Sequence, residues 1–210
     1  MLLWINGPFG GGKTQTASEL HRRLPGSVIC DPEHVGFGLH RTLPPELRGD
    51  FQDLQSWRDG VYEVLDLALT HHPGTVISPM TVVDPTYFRE TVGRLRENGH
   101  QVRHVALLAE RATVVRRLRE RSLGRLVQLV AGEAAALRNE SFAMSKLDLC
   151  LERLVEPTFA EQLWIDDLTV AEVAEEIATS AALRLSPNHD GAVRGRLRRT
   201  WTSVRHIRLS

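Results

Sequence analysis

Cysteine and lysine are scarce in this 210-residue chain, and each scarcity removes a class of explanation. Cys30 and Cys150 are the only cysteines, too few for a disulfide framework or a zinc site, so both read as structural. Lys13 and Lys146 are the only lysines among 26 basic residues; the others are all arginine, a bias that GC-rich coding produces without any mechanism. Formal net charge is zero, so nothing global draws the chain to nucleic acid. No apolar run approaches the ~18 residues that span a bilayer. No basic leader precedes the apolar run that begins at Leu2, and the expectation is a cytoplasmic protein without a signal peptide. What remains is ordinary: 42% hydrophobic and 25% charged residues suit a soluble globular protein. The length suits one domain with a full core, with a tail or small lid left over.

The most informative segment is Gly7-Pro8-Phe9-Gly10-Gly11-Gly12-Lys13-Thr14. It has the pattern of a P-loop, Gly, four residues, then Gly-Lys-Thr, placed between a short apolar run (Leu2 to Asn6) and a helix-forming segment (Gln15 to Leu24). Glycines let the backbone bend so that successive N–H groups point inward, and the next helix adds partial positive charge to the same concavity. The phosphate cradle is assigned to Gly7, Pro8, Phe9, Gly10, Gly11, Gly12, Lys13, Thr14 and Gln15. Lys13 would reach the β- and γ-phosphates, and the Thr14 hydroxyl would ligate Mg²⁺. That one of only two lysines stands here fits a chemical need for an ammonium.

The remaining pattern alternates short strand-like runs with longer helical ones. Strands are expected at Leu2–Asn6, Ser27–Cys30, Thr75–Ser78, Val102–Leu108 and Gln162–Ile165. Helices are expected at Lys13–Leu24, parts of Glu46–His71, Pro85–Asn98, Ala112–Arg121, Ala131–Ala143, Ser145–Glu156 and Val170–Leu183. Such alternation predicts an α/β fold: a five-stranded parallel sheet flanked by helices, with right-handed crossovers and ligands at the strands' C-terminal ends. The chain divides into a P-loop kinase-like domain over 1–183 and a tail over 184–210. Residues 33–60, with His34, Gly36, Gly38, His40, Pro44, Pro45 and Gly49, read as a mobile substrate-covering segment, and 119–145 as a lid.

Candidate chemistry follows the strand ends. Asp31 comes just after the second strand, where a carboxylate faces the γ-phosphate from the acceptor side; it serves as general base or caps the next helix, since Asp-Pro suits a helix start. Glu33 and His34 follow it. Trp57 and Arg58 pair an aromatic ring with a guanidinium, which suits an anionic or heteroaromatic substrate, or else a helix arginine paired with a nearby acid. Ser78 closes the third strand at the border of the acceptor pocket. Arg117 and Arg121 share a helix face at the start of the lid, with Arg125 one turn further, positioned to neutralise charge on a transferred phosphoryl group. Asp166 to Thr169 cap the last helix beside the expected base site.

The opening from Leu3 to Thr16, with its Trp-Ile-Asn-Gly lead and a Phe-Gly inside the P-loop, resembles the tunicamycin-resistance ATP-binding proteins, a group of nucleotide-kinase-like P-loop proteins. The Asp50 to Arg58 stretch, the Leu107–Ala109 run and the Leu163–Asp167 strand end resemble that family too, and the likeness covers residues 1 to about 183. The resemblance implies an adenylate-kinase-like core, ATP with Mg²⁺, and resistance to tunicamycin, a uridine-containing nucleoside antibiotic with a fatty acyl chain. Lys13 and Thr14 carry over directly, and Asp31 matches the acceptor-side acid of small-molecule kinases. The lid arginines carry over only approximately, because Ser122 to Ser145 holds no motif that aligns. Three readings stand: phosphoryl transfer to a hydroxyl of the drug, ATP-dependent sequestration without transfer, or a kinase for a sugar acid or nucleotide. The tail adds a separate expectation. It carries seven arginines and one acid from Arg184 to Ser210, and Val193, Leu197, Trp201 and Val204 recur at helical spacing. A helix there suits peripheral contact with an anionic membrane through 193–208, or docking on the protein's own core.

Overall fold

The computed structural model describes residues 1–126, 145–159 and 161–188, with side chains described only up to Glu120 in the first stretch. The five expected strands form one parallel sheet in the order β2-β3-β1-β4-β5. They are β1 Leu2–Asn6, β2 Val28–Ile29, β3 Val76–Pro79, β4 Val102–Leu108 and β5 Gln162–Trp164. The chain leaves β1 for β2 and β3 on one side and later crosses to β4 and β5 on the other. The C-terminal end of β1 is therefore the crevice at which a parallel sheet takes ligands.

Strand residues alternate between two apolar layers, as a sheet covered on both faces requires. Leu3, Ile5, Val105 and Leu107 pack with Ala17 and Leu20 of α1 (Lys13–Arg23) and Val173, Ala174 and Ile177 of α8 (Val170–Ser180). Leu2, Trp4, Ala106 and Leu108 face the opposite layer, with Trp57, Val61 and Leu65 of α3 (Gln55–His71) and Phe88, Val92 and Leu95. Those last three lie on a continuous helical stretch: α4 (Pro85–Phe88), a π turn over Arg89–Gly93, and α5 (Arg94–Glu97). Asp84 starts that stretch by accepting the Thr86 and Tyr87 N–H groups, and Pro85 at the first position suits a helix start. After β4, α6 runs over Arg111–Leu126, and a seventh helix, α7, occupies residues 145–154. Thr169 and Glu172 cap α8 reciprocally, which is the capping role read for the turn after β5.

In the stretch 33–60, read from the sequence as a substrate-covering segment, α2 runs over Glu33–Thr42, with 3₁₀ turns at Pro45–Leu47 and Phe51–Asp53. Gly36, one of the residues that suggested mobility, is buried on α2, and a Cβ there would stand 2.5 Å from the Phe51 ring. This glycine lets a ring pack against a helix backbone. The first residues of the 184–210 tail are docked. Leu183 and Leu185 pack on the core, the Ser186 N–H donates to the Arg23 carbonyl at 2.7 Å, and Arg23 Nε returns a bond to the Ser186 carbonyl at 2.9 Å. The helix expected at Ala131–Ala143, most of the proposed lid and the 193–208 stripe lie outside the described residues.

Candidate functional site

At the end of β1 the chain makes the turn that the P-loop pattern predicts. Gly7, Gly10 and Gly12 have φ of 151°, 78° and 84°, values that side chains strain to adopt. Gly10 is also pressed by its surroundings, since a Cβ there would meet Leu118 of α6 at 2.9 Å. Leu118, buried with Val114 in the same layer, thus holds α6 directly over the loop. Gly12 opens α1 with no side-chain cap, and the first turn carries no acid. The leading N–H groups of an α-helix have no intrahelical partner, so this end presents donors and partial positive charge to an anion.

Lys13 is buried and its Nζ donates to the carbonyls of Gly7 and Pro8, each at 3.0 Å, with the Phe9 ring 5.6 Å away. The ammonium is therefore held inside the curl of the loop rather than in solvent. Two residues outside the motif fix that curl. Asn6, fully buried, accepts the Gly7 N–H at 2.9 Å and the Val82 N–H at 3.1 Å, and donates to the Val82 carbonyl at 2.7 Å. Thr81 donates its hydroxyl to the Gly7 carbonyl at 2.8 Å. Together they clamp the phosphate loop to the segment after β3. In the sequence Asn6 stands only as part of the Trp-Ile-Asn-Gly lead. A buried Asn ending a strand was the signal available.

The donor set fits a nucleoside triphosphate with Mg²⁺: an uncapped helix start, a buried ammonium in a glycine-rich turn, and Thr14, half-buried in the first turn of α1. Mg²⁺ needs few protein ligands because it keeps waters and takes phosphate oxygens.

The acceptor side is organised differently. Asp31 follows β2 on the same sheet edge, its strand anchored by the Cys30 N–H donating to the Ile77 carbonyl at 2.9 Å. Its carboxylate accepts the Glu33 N–H at 3.0 Å, so it does cap the start of α2. His34 is exposed on the first turn of α2, 6.4 Å from the Phe37 ring, and Phe37, His40 and Phe51 continue a set of rings along this segment. Ser78 is fully buried and donates its hydroxyl to the Cys30 carbonyl at 2.5 Å; it fastens the strand that carries Asp31. Trp57 is fully buried and donates Nε1 to the Pro32 carbonyl at 3.1 Å, leaving no face open to a ligand. Arg58 is also buried. Its guanidinium donates to Glu90 Oε2 at 2.5 Å, the Gln52 carbonyl at 2.6 Å and Gln55 Oε1 at 2.8 Å, and lies 4.5 Å from the Tyr87 ring. The aromatic–guanidinium pair thus builds the wall from behind, locking the 51–55 segment to α3 and the π turn.

Arg117 is half-buried and donates to the Ile165 carbonyl at 3.1 Å, at the end of β5. Burial pushes its pKa down while Asp166 opposes the shift. The next residue, Leu118, meets the P-loop at Gly10, while Arg117 is turned to the backbone that follows β5. The Arg121 and Arg125 side chains lie outside the described residues.

Comparison with known proteins agrees with this geometry. The model of the AAA domain family matches residues 2–140. No curated protein sequence matches. Among solved structures, the tunicamycin resistance protein of Deinococcus radiodurans superposes with a TM-score of 0.70 at 30% identity, over 89% of this chain and 99% of that one. A shikimate kinase from Bacteroides thetaiotaomicron superposes at 0.57 with 18% identity, over 87% and 99% of the two chains. A gluconokinase from Sinorhizobium meliloti 1021 superposes at 0.55 with 14% identity, over 86% and 90%. The last two show a shared fold.

Proposed function

The chain belongs to the tunicamycin-resistance proteins of the P-loop kinase-like fold, and on that footing we propose that it transfers the γ-phosphoryl group of ATP to a hydroxyl of tunicamycin or a related nucleoside. The observation that carries the reading is the pairing on one sheet edge of an uncapped, lysine-bearing phosphate loop with Asp31 at the end of β2. Bound Mg²⁺ supplies charge neutralisation on the phosphate oxygens. Lys13 and the N–H groups from Gly10 to Gln15 hold the phosphates, and the Thr14 hydroxyl would face the ion. Asp31 accepts the proton from the attacking hydroxyl and orients it. Arg117, with Arg121 further along α6, supplies cationic charge over the closing crevice. His34 and the rings beside it face the acceptor, while Trp57, Arg58 and Ser78 shape that wall. A helix over 193–208 with an apolar stripe and a basic remainder would bring the chain to the anionic membrane surface where an acylated substrate resides.

One observation favours a second reading. Asp31 already has a structural task in capping α2, so an acid at this position is explained without transfer. The protein would then bind ATP and the drug and sequester it; a sugar-acid or nucleotide kinase is the remaining alternative. Mass spectrometry of tunicamycin after incubation with protein, ATP and Mg²⁺ separates the readings. Transfer adds one phosphoryl group, about 80 Da. Asp31→Asn should reduce product formation on the order of 10²-fold while ATP binding persists. No mass gain with the native chain, alongside tight drug binding, establishes sequestration; gain on a metabolite but not on the drug establishes the third reading.

A further inference from the structure

The second of the two lysines stands at the same end of the molecule as the first. Lys146 is near the start of the described part of α7, with its Nζ 3.9 Å from Asp50 Oδ2. Asp50 belongs to the substrate-covering segment, where its carboxylate accepts the Gln52 N–H at 3.1 Å and starts the 3₁₀ turn that carries Phe51. This ion pair joins the acceptor cover to the helix that follows residues 127–144.

The partners of α7 place it beside the phosphate loop. Lys146 and Cys150 are four residues apart and share a helix face. Cys150 is buried in the apolar layer against which Phe9 of the P-loop packs, and Leu147 is buried in the other layer with Leu118, the residue that presses on Gly10. Burial pushes the Cys150 thiol up to about 11, with Lys13 and Lys146 both pulling it down and Asp50 pushing it up. Asp50 is also tied to the loop through its neighbours: Gln52 donates its side-chain amide to the Thr81 carbonyl at 3.0 Å, and Thr81 donates to the Gly7 carbonyl at 2.8 Å. The Lys146 side chain is 43% exposed, against 19% for Asp50, so the ammonium is the more accessible end of the pair.

We propose that Lys146 is a second phosphate-directed ammonium of the nucleotide site, held at its rim by Asp50 of the acceptor cover. The assignment rests on the nucleotide-binding reading above and adds to it a residue outside the P-loop and the lid arginines. Lys146 contributes a compact point charge that Lys13, enclosed in the loop, cannot extend toward the acceptor side. Asp50 acts through Lys146 as a positioning residue, keeping the ammonium facing the crevice and coupling the cover to α7.

The test compares ATP affinity, by calorimetry, with the melting temperature of the ligand-free chain for Lys146→Met, Lys146→Arg, Asp50→Asn and Lys13→Ala. Lys146→Met should weaken ATP binding about tenfold or more and flatten its salt dependence, as loss of a charge-assisted contact predicts. Its ligand-free melting temperature should barely move, because a partly exposed ion pair adds little stability. Lys146→Arg should recover most of the affinity. Asp50→Asn should weaken ATP affinity, by less than Lys146→Met does, since the ammonium is kept but no longer held in place. Native ATP affinity in Lys146→Met overturns the assignment, as does a lowered melting temperature with affinity retained, the mark of a purely structural pair. Lys13→Ala separates the two levels of the argument. If it too binds ATP normally, the nucleotide reading fails; if it loses ATP while Lys146→Met does not, only the role of Lys146 fails.

Discussion

The two walls of the site spend their polar groups in opposite directions. On the phosphate wall they converge inward: Lys13 lies within the loop, α1 begins without a cap, and Asn6 and Thr81 act only to keep the curl in shape. On the acceptor wall they are consumed by the protein. Arg58 has three acceptors and a ring, Trp57 donates to Pro32, Ser78 donates to Cys30, and Asp31 caps α2. A phosphate group is the same ligand in every protein that binds one, so its wall is built from a fixed set of donors. The wall beside Asp31 holds its shape with internal polar bonds, and the rings of His34, Phe37, His40 and Phe51 lie along it.

The strongest way to break this contrast is Lys13→Ala. It removes the one ammonium inside the loop while the backbone cradle and the Asn6 clamp persist, so the fold should survive. ATP affinity should fall and transfer should drop below detection, measured by calorimetry and by product mass. A folded Lys13→Ala protein with full transfer would mean that the phosphate wall does not work as built.

The acceptor wall makes the converse prediction, a large effect on stability with little on nucleotide binding. Arg58→Met leaves Glu90 and the Gln52 carbonyl without their donor in a largely buried setting. Losses of this kind cost about 2–3 kcal/mol, and urea unfolding should show a fall in unfolding free energy of that size. ATP affinity should stay near native, because nothing in the P-loop leans on Arg58. If Arg58→Met instead unfolds normally but loses the acceptor, then the guanidinium reaches the substrate and the contrast between the walls is overstated.

These differences also explain what the sequence made legible. The bounds of β1 and β4 match their apolar runs, and the P-loop was visible because backbone chemistry demands glycine, lysine and threonine at fixed spacing. The cover was not readable in the same way. Gly36 and Gly38 looked like breakers, yet Gly36 is the contact point of α2 with Phe51, a long-range demand that no local pattern carries. The stretch from Pro85 was read as one helix, but its π turn, which holds Glu90 opposite Arg58, leaves no mark in hydrophobic periodicity. Trp57 beside Arg58 read either as a ring and a guanidinium for a substrate or as an arginine paired with an acid; adjacency alone does not say that Glu90 and Tyr87 take the guanidinium. Lys146 stood out only as a rare residue, and Asp50 only as an acid near the Trp-Arg pair.

The smallest effect, and the one that reaches the acceptor wall from behind, concerns acid. His104 lies on β4 paired in register with Trp4, buried between Phe88 at 4.7 Å and Phe159 at 6.1 Å. Its Nε2 has no hydrogen-bond partner among the described residues, and burial, with Arg96 adding repulsion, lowers its pKa from 6.5 to about 3. The neutral ring is what the fold accepts. Since the folded pKa lies below the unfolded one, the unfolded chain takes up the proton first. Stability is then fully present above about pH 6.5 and declines toward pH 3, by about 1.4 kcal/mol per unit, or on the order of 2 kcal/mol at pH 5. His104 touches Phe88, at the end of α4, and the next turn carries Glu90. Acid should therefore loosen the helix that anchors Arg58 before it disturbs the P-loop. Urea midpoints at pH 7.5 and 5 for the native chain and for His104→Phe measure this. The substitution should flatten the pH dependence, and hydrogen exchange at pH 5 should rise in 85–97 of the native chain more than in 7–23. Equal pH dependence in both chains would place the acid-sensitive group elsewhere, and uniform exchange would mean that the two walls yield together.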